Sequence, residues 1–364
     1  MTLDILSSLQ SNANEKNLPR YCSIEVTQHC NFQCKHCYIP RYPSKKVNRV
    51  SLDEYKRFFS ELKKIGGLSV CFTGGEPLLF KEELFELLEM VKSEGMMAVL
   101  YTNGSLVTRE IARNVKEKRV LEVAVTLYGS CAETMDKFTG HSGSFEKTLQ
   151  GIKWLLEENN HVNVRWPVTR ENLEELTAFY NLVRNLGAKP SHYHSFDRCW
   201  DGSECPYKLE MEEDDFIQYF DTLSRLDIFD EILSELKKGR ATAEQKISGW
   251  RHLCSAGRGH IYLGSDGFLY PCSHIRKPLG NIVNTSLHKI WQEENPVLKE
   301  VRAATLDKME CADCEYLVDC GICIAEFYLE NGSFTKPDKH TCQLAKLGRR
   351  IRNYVNTRYI ATKK

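Results

Sequence analysis

From Tyr21 to about Phe196, segments of strand composition alternate with amphipathic helical segments, and this alternation constrains the fold more than any other feature of the chain. Strands are expected at Cys22–Thr27, Leu68–Phe72, Met97–Tyr101, Leu121–Leu127, Asn163–Val168 and Ser191–Phe196. The first intervening helix opens with a capping box, Ser51 to Glu54, shows an apolar face of Leu52, Tyr55, Phe58, Phe59, Leu62 and Ile65, and ends at Gly66-Gly67. Further helices are expected at Lys81–Ser93, Thr108–Lys118, Phe145–Glu157 and Asn172–Leu186. Repeated strand–helix steps build a parallel sheet with helices outside, either doubly wound or curled toward a barrel. Sheets of this kind carry their sites at the carboxyl ends of the strands.

After Arg198 the alternation stops. Met211–Leu236 is acidic and helical, Lys237–Gly249 reads as a linker, and from Cys254 short strands, glycines and closely spaced cysteines mark a second unit. The tail from Lys346 to Lys364 is basic and reads as a solvated helix. The expected units are an extension over 1–20, a parallel-sheet domain over 21–210, a helical linker over 211–249, a cysteine-rich domain over 250–345 and the tail over 346–364.

A net charge of zero argues against a nucleic-acid partner, for which a basic stripe is expected. The first twenty residues hold no apolar signal core, and no stretch approaches the ~20 apolar residues of a membrane span, so no membrane association and a cytoplasmic location are expected. In that compartment the 15 cysteines read as metal ligands rather than disulfides.

Cys30, Cys34 and Cys37 form a C-x3-C-x2-C run in the loop after the first strand. Three thiolates so close can hold three irons of a 4Fe–4S cluster and leave the fourth open. Structural zinc prefers four ligands in C-x2-C pairs, a different pattern. After the second strand comes Thr73-Gly74-Gly75-Glu76-Pro77, in which paired glycines allow close backbone approach and a carboxylate can accept from an ammonium group.

Together these motifs resemble the radical S-adenosylmethionine (SAM) family. The resemblance implies a partial barrel of six strand–helix units, with SAM chelated on the open iron and cleaved reductively to a 5′-deoxyadenosyl radical. It implies that Gly74, Gly75 and Glu76 hold SAM's amino group, with Asn103 in Thr102-Asn103-Gly104 and Thr126 at the fourth strand's end as further contacts. His36 stands where relatives have an aromatic near adenine. Arg165 either pairs with SAM's carboxylate or makes a surface ion pair. Tyr128 replaces a usual acidic residue.

The second unit offers Cys254, Gly267-x4-Cys272, Cys311-x2-Cys314-x5-Cys320-x2-Cys323 and Cys342. This order resembles the SPASM domain, an α+β extension with two auxiliary clusters; the Cys320–Cys323 gap is one residue short of the common spacing, and a zinc ribbon is the alternative. The resemblance gives Cys254, Cys272 and Cys323 to a nearer cluster and Cys311, Cys314, Cys320 and Cys342 to an outer one. His260 either supplies the nearer cluster's missing ligand or is a polar strand residue, with an open iron as the third possibility. Three 4Fe–4S clusters and SAM are the implied cofactors.

Among the remaining thiols, Cys22 and Cys71 read as core residues, whereas Cys131, Cys199 and Cys205 fall near strand ends or beyond the sixth strand. The polar and aromatic run from Ser191 to Asp201 reads as a substrate rim, with Asp197, Cys199 and Tyr128 as candidate catalytic groups. The resemblance implies oxidative modification of a peptide, such as cross-linking, with an electron donor such as flavodoxin or ferredoxin. About twenty residues precede the first strand, too few for a leader-binding domain, which would then be a separate protein. The alternatives are a sulfatase-maturase-like dehydrogenase, a haem or other small-molecule pathway enzyme, and an electron-transfer or scaffold protein that never cleaves SAM.

Overall fold

A computed structural model describes residues 12–39, 50–234, 254–292 and 294–360. Strands β1 (Tyr21–Thr27), β2 (Ser69–Gly74), β3 (Met97–Thr102), β4 (Glu122–Thr126), β5 (Val162–Pro167) and β6 (Lys189–Tyr193) lie parallel in sequence order. They are joined by helices α1 (Leu52–Lys64), α2 (Lys81–Ser93), α3 (Arg109–Glu117), α4 (Ala132–Thr139), α5 (Ser144–Glu157) and α6 (Leu176–Asn185). The capping box of α1 is formed, with Ser51 and Glu54 satisfying each other's backbone N–H, and its apolar face is buried through Tyr55, Phe58, Phe59 and Leu62.

Alternation along β5 separates the two faces of the sheet. Val162, Val164 and Trp166 are buried under the helices, Trp166 stacking on Phe179 of α6 at 4.6 Å. Asn163 and Arg165 are half-buried on the concave face, which we call the lumen. Exposed Met97 and Tyr101 on β3 indicate that this face is open to solvent. The architecture is the expected partial barrel of parallel strands followed by a cysteine-rich α+β unit.

The second unit does not form a separate sheet. Its strand β7 (His260–Leu263) pairs parallel with β1, from Tyr21↔His260 to Ile24↔Leu263. Strands β8 (Phe268–Tyr270) and β9 (Gly280–Asn281) then continue antiparallel, giving the order β6-β5-β4-β3-β2-β1-β7-β8-β9. Glu25 on β1 explains the attachment. Its carboxylate is fully buried and accepts from Tyr262 Oη at 2.8 Å, Ser265 Oγ at 2.8 Å and Gln28 Nε2 at 2.9 Å, so an acid in a largely buried strand is satisfied mainly by the second unit.

Beyond β6, α7 (Glu213–Leu223) packs against α6. In the second unit, α8 (Leu287–Ile290) and α9 (Pro296–Ala303) precede the cysteine run, and α10 (Ile324–Asn331) and α11 (Lys339–Val355) follow it. Helix α11 starts seven residues before the expected tail and carries Cys342. It is docked rather than solvated: Arg349 and Arg352 pair with Asp319, Arg350 with Glu213, and Arg358 with Asp221 just beyond it. Helix α4 was not expected, because Cys131 offers no side-chain cap and the eight residues are too few for a clear period. The linker expected at Lys237–Gly249 lies outside the described residues. Among those described, no helix is long and apolar enough to cross a membrane.

Candidate active site at the barrel mouth

Cys30, Cys34 and Cys37 lie in the loop leaving β1, with Cys30 and Cys37 exposed and Cys34 half-buried. Desolvation of the sulfur raises the thiol pKa of Cys34 and, although that residue is exposed, of Cys30; neighbouring charges add to the shift, Glu76 and Cys37 on Cys30, and Cys30 and Cys37 on Cys34. Donors offset part of this. Phe32 N–H and Asn103 Nδ2 reach Cys30 Sγ at 3.4 and 3.8 Å, and the Tyr128 hydroxyl donates to Cys34. Three thiols held together, with N–H and O–H groups aimed at sulfur, fit a cubane cluster.

Gly74 and Gly75 serve an approach of chain to chain. A Cβ on Gly74 would meet the Thr27 carbonyl at 2.2 Å, and one on Gly75 the His29 carbonyl at 2.1 Å. Gly75 N–H donates to Thr27 O and Glu76 N–H to His29 O, so the β2 turn rests directly on the start of the cysteine loop. The Glu76 carboxylate is fully buried, accepting from Leu78 N–H at 3.0 Å, Thr102 Oγ1 at 2.7 Å and Asn103 N–H at 2.7 Å. Three of roughly four acceptor positions are thus used inside the chain, so this carboxylate fixes the β3 turn and has little left for an ammonium.

The β3 turn continues the network into the cysteine loop. Asn103 Nδ2 donates to Asn31 Oδ1, and Asn31 Nδ2 donates to Ser105 Oγ. Thr126 is half-buried at the end of β4, in register with Arg165 on β5. The Arg165 guanidinium lies over the rings of Tyr101 and Tyr193 at 4.9 and 5.0 Å, and no carboxylate among the described residues closes on it as an ion pair. It is a lumen cation, which rules against the surface ion pair. Cys71 shares this face: it is half-buried and feels Arg165 and Glu122, whereas Cys22 is the buried core thiol that was expected.

Three sequence expectations change. His36 packs inward against Tyr128, Phe138 and Phe196, its Nδ1 buried without a partner, so it props the loop from beneath. Tyr128, stacked on Phe138 at 4.6 Å, is a donor to a loop thiol rather than a catalytic group. Cys199 is buried and donates to the Cys37 carbonyl, supporting the same loop from behind. Cys131 and Cys205 are exposed. Asp197 keeps its catalytic candidacy. Half-exposed, it approaches His274 Nε2 at 3.5 Å and exerts its charge on Tyr193 of the lumen and on Cys272 and Cys323.

Among the seven cysteines of the second unit, mutual electrostatics link Cys254, Cys272 and Cys323 and, apart from them, Cys311, Cys314, Cys320 and Cys342. Beyond burial, Cys272 feels Cys254, and Cys323 feels both. Cys320 feels Cys311, Cys342 and Cys314. Among the described residues no three His, Cys, Asp or Glu close around a single metal ion. His260 belongs to neither group. Its Nε2 is 3.0 Å from Ser23 Oγ, its ring bonds the Pro271 backbone, and burial lowers its pKa to about 4. With Nε2 engaged by Ser23 of β1, His260 has the setting of a polar strand residue.

A parallel partial barrel with a three-thiol loop at its mouth and a cysteine-rich annex defines an iron–sulfur enzyme of the barrel type. The radical SAM superfamily profile matches residues 24–183, and that of the SPASM iron–sulfur cluster-binding domain matches residues 254–315. The AdoMet-dependent heme synthase of Methanosarcina barkeri is 30% identical over 89% of this chain and 96% of its own length. The PqqA peptide cyclase of Bradyrhizobium diazoefficiens is 24% identical over 94% and 91%. The solved structure of native anSMEcpe with bound AdoMet superposes with a TM-score of 0.69 at 18% identity, covering 93% of this chain and 99% of that one. The chain belongs to the radical SAM superfamily and carries a SPASM domain, a combination that implies 4Fe–4S clusters and SAM.

Proposed function

We propose that the chain oxidises a peptide held in the lumen, removing two hydrogens for each bond formed. When bound, SAM and its cluster supply a radical that takes one hydrogen atom, and the auxiliary clusters supply a sink for one electron. Asp197 accepts the proton that must also leave. The observation that carries this reading is that its carboxylate lies 3.5 Å from Nε2 of His274, two positions after Cys272, with its charge felt by Tyr193 of the lumen and by Cys272 and Cys323. Cys30, Cys34 and Cys37 would hold the SAM cluster, and the two cysteine groups of the second unit would hold one cluster each, three in all. Arg165 offers its cation to SAM's carboxylate, and Thr126 its hydroxyl. The Gly74-Gly75-Glu76 turn contributes backbone to SAM's amino group, with Asn103 beside it. The low-potential electron comes from a flavodoxin or ferredoxin.

A second reading, conversion of a porphyrin on the way to haem, is favoured by the 30% identity to a heme synthase across 96% of that relative. Asp197 separates the two. Loss of a propionate as carbon dioxide releases an electron but needs no proton acceptor, whereas closing a bond from a thiol, amine or hydroxyl does. The test is anaerobic co-expression with peptides encoded beside the gene, alongside incubation with iron coproporphyrin III. A peptide lighter by about two hydrogens per bond supports the first reading, and Asp197→Asn should abolish that loss. Porphyrin consumption that survives Asp197→Asn, with every peptide unchanged, replaces it with the second.

A further inference from the structure

Asp197 sits in an extended segment beyond β6, yet the peptide groups on either side of it are fixed by buried acids. Phe196 N–H donates to Glu210 Oε1 at 3.2 Å, and Arg198 N–H donates to Glu326 Oε1 at 2.9 Å. Both carboxylates are almost fully buried, at 7% and 5% exposure. Each is held in turn by the second unit. Glu326 lies on α10, whose N-cap is Cys323, and Tyr207 Oη also donates to it. Glu210 is 3.1 Å from Nε2 of His340 on α11, the helix that carries Cys342. The Arg198 side chain, 6% exposed, adds Nη2 to Glu330 at 2.9 Å and Nη1 to Glu204 at 2.8 Å.

So many charges would not be buried for local folding alone, since desolvation offsets most of what an interior ion pair gains. What the arrangement does achieve is geometric. The amides on both sides of Asp197 are fixed: one acceptor, Glu326, lies on the helix capped by Cys323, and the other, Glu210, pairs with His340 on the helix that carries Cys342. We propose that Glu326 and Glu210, with Arg198, are positioning residues that hold the Asp197 carboxylate between the lumen and the nearer cysteine group. The second unit then sets where the proton goes as well as where the electron goes. This inference rests on Asp197 being the proton acceptor.

The test uses holoenzyme and three variants. Glu326→Ala removes the acceptor for the Arg198 amide, Glu326→Gln restores one, and Asp197→Asn removes the carboxylate itself. Hydrogen exchange at the 193–204 segment reads the latch without any substrate. With iron content unchanged, Glu326→Ala should exchange at Arg198 on the order of ten-fold faster, the loss of a hydrogen bond to a charged acceptor, and Glu326→Gln should recover most of the protection. In anaerobic co-expression with a neighbouring peptide, Glu326→Ala should form several-fold more 5′-deoxyadenosine per peptide oxidised, and Glu326→Gln should lie near wild type.

Wild-type exchange in iron-replete Glu326→Ala overturns the latch. If Glu326→Ala loses iron, Glu210→Ala replaces it, read at the Phe196 amide, with the same two outcomes. An uncoupled Asp197→Asn beside a fully coupled Glu326→Ala also overturns the latch while leaving the acceptor reading intact. A fully coupled Asp197→Asn overturns the acceptor reading and the inference with it. If no peptide is modified by wild type, the peptide reading fails separately and hydrogen exchange alone decides the latch.

Discussion

Asn103 Nδ2 lies 3.8 Å from Cys30 Sγ, while the backbone N–H of the same residue is held at 2.7 Å by the buried Glu76 carboxylate. The glutamate of the Gly-Gly-Glu-Pro turn therefore acts on the cysteine loop through Asn103. An N–H aimed at a thiolate sulfur favours the reduced, more negative cluster. Asn103→Ala should shift the midpoint of the barrel cluster to more negative potential and slow SAM cleavage by roughly ten-fold, as loss of an outer-shell partner does elsewhere. Potentiometric titration followed by electron paramagnetic resonance checks this, and an unchanged midpoint refutes it.

Iron content tests the cysteine assignments. Three 4Fe–4S clusters require about twelve irons per chain after anaerobic reconstitution, and replacing Cys30, Cys34 and Cys37 together by Ala should leave about eight with no SAM cleavage. Zinc in place of the remaining irons would establish the ribbon alternative.

Gly75→Ala should be among the most damaging single substitutions in the barrel. The new methyl would lie 2.1 Å from the His29 carbonyl, a backbone atom that cannot turn aside. Forcing the β2 turn off the cysteine loop should cost about 1–3 kcal/mol and lower the occupancy of the barrel cluster. Chemical denaturation and iron analysis measure the two effects.

Stability should fall in mild acid through His192. The Tyr180 hydroxyl of α6 lies 2.6 Å from its Nδ1, Tyr219 of α7 bonds its Nε2, and burial, helped by His194, pushes its pKa down to about 4. In the unfolded chain an ordinary histidine takes its proton near pH 6.5, so the unfolded state binds protons first as pH drops. The contribution is fully present above about pH 6.5 and is lost on the way down to about 4. His192→Gln should flatten the decline in thermal midpoint between pH 7 and pH 5.5, and an unaltered slope would place the acid sensitivity elsewhere.

The parts of the molecule that repeat at short range were legible from the sequence. The six parallel strands, the capping box at Ser51 and the three-thiol loop each announce themselves within a few residues. The missing parts depend on partners far apart in the chain. Nothing near Glu326 points to Arg198, 128 positions away. Nothing near Asn31 points to Ser105. Tyr128 read as a departure from a family pattern, and only the packing of α4 against the loop turned it toward Cys34. Glu25 was the one overlooked local signal, since an acid inside a buried strand must find donors somewhere. The basic tail misled because its charge pattern was visible and its acidic partners, Asp319, Glu213 and Asp221, were not.

The pairing of β7 with β1 gives the chain a particular order of assembly. Glu25 meets Tyr262 only after 237 further positions have been made, so β1, made before β2 to β9, is among the last strands of the sheet to gain its second neighbour. Until then one of its edges is bare beside the newly formed cysteine loop, and Glu25 lacks its Tyr262 and Ser265 donors. The barrel is consequently not a detachable module. A fragment ending before Ala256 would leave that strand edge bare beside Cys30, Cys34 and Cys37 and should be prone to aggregate.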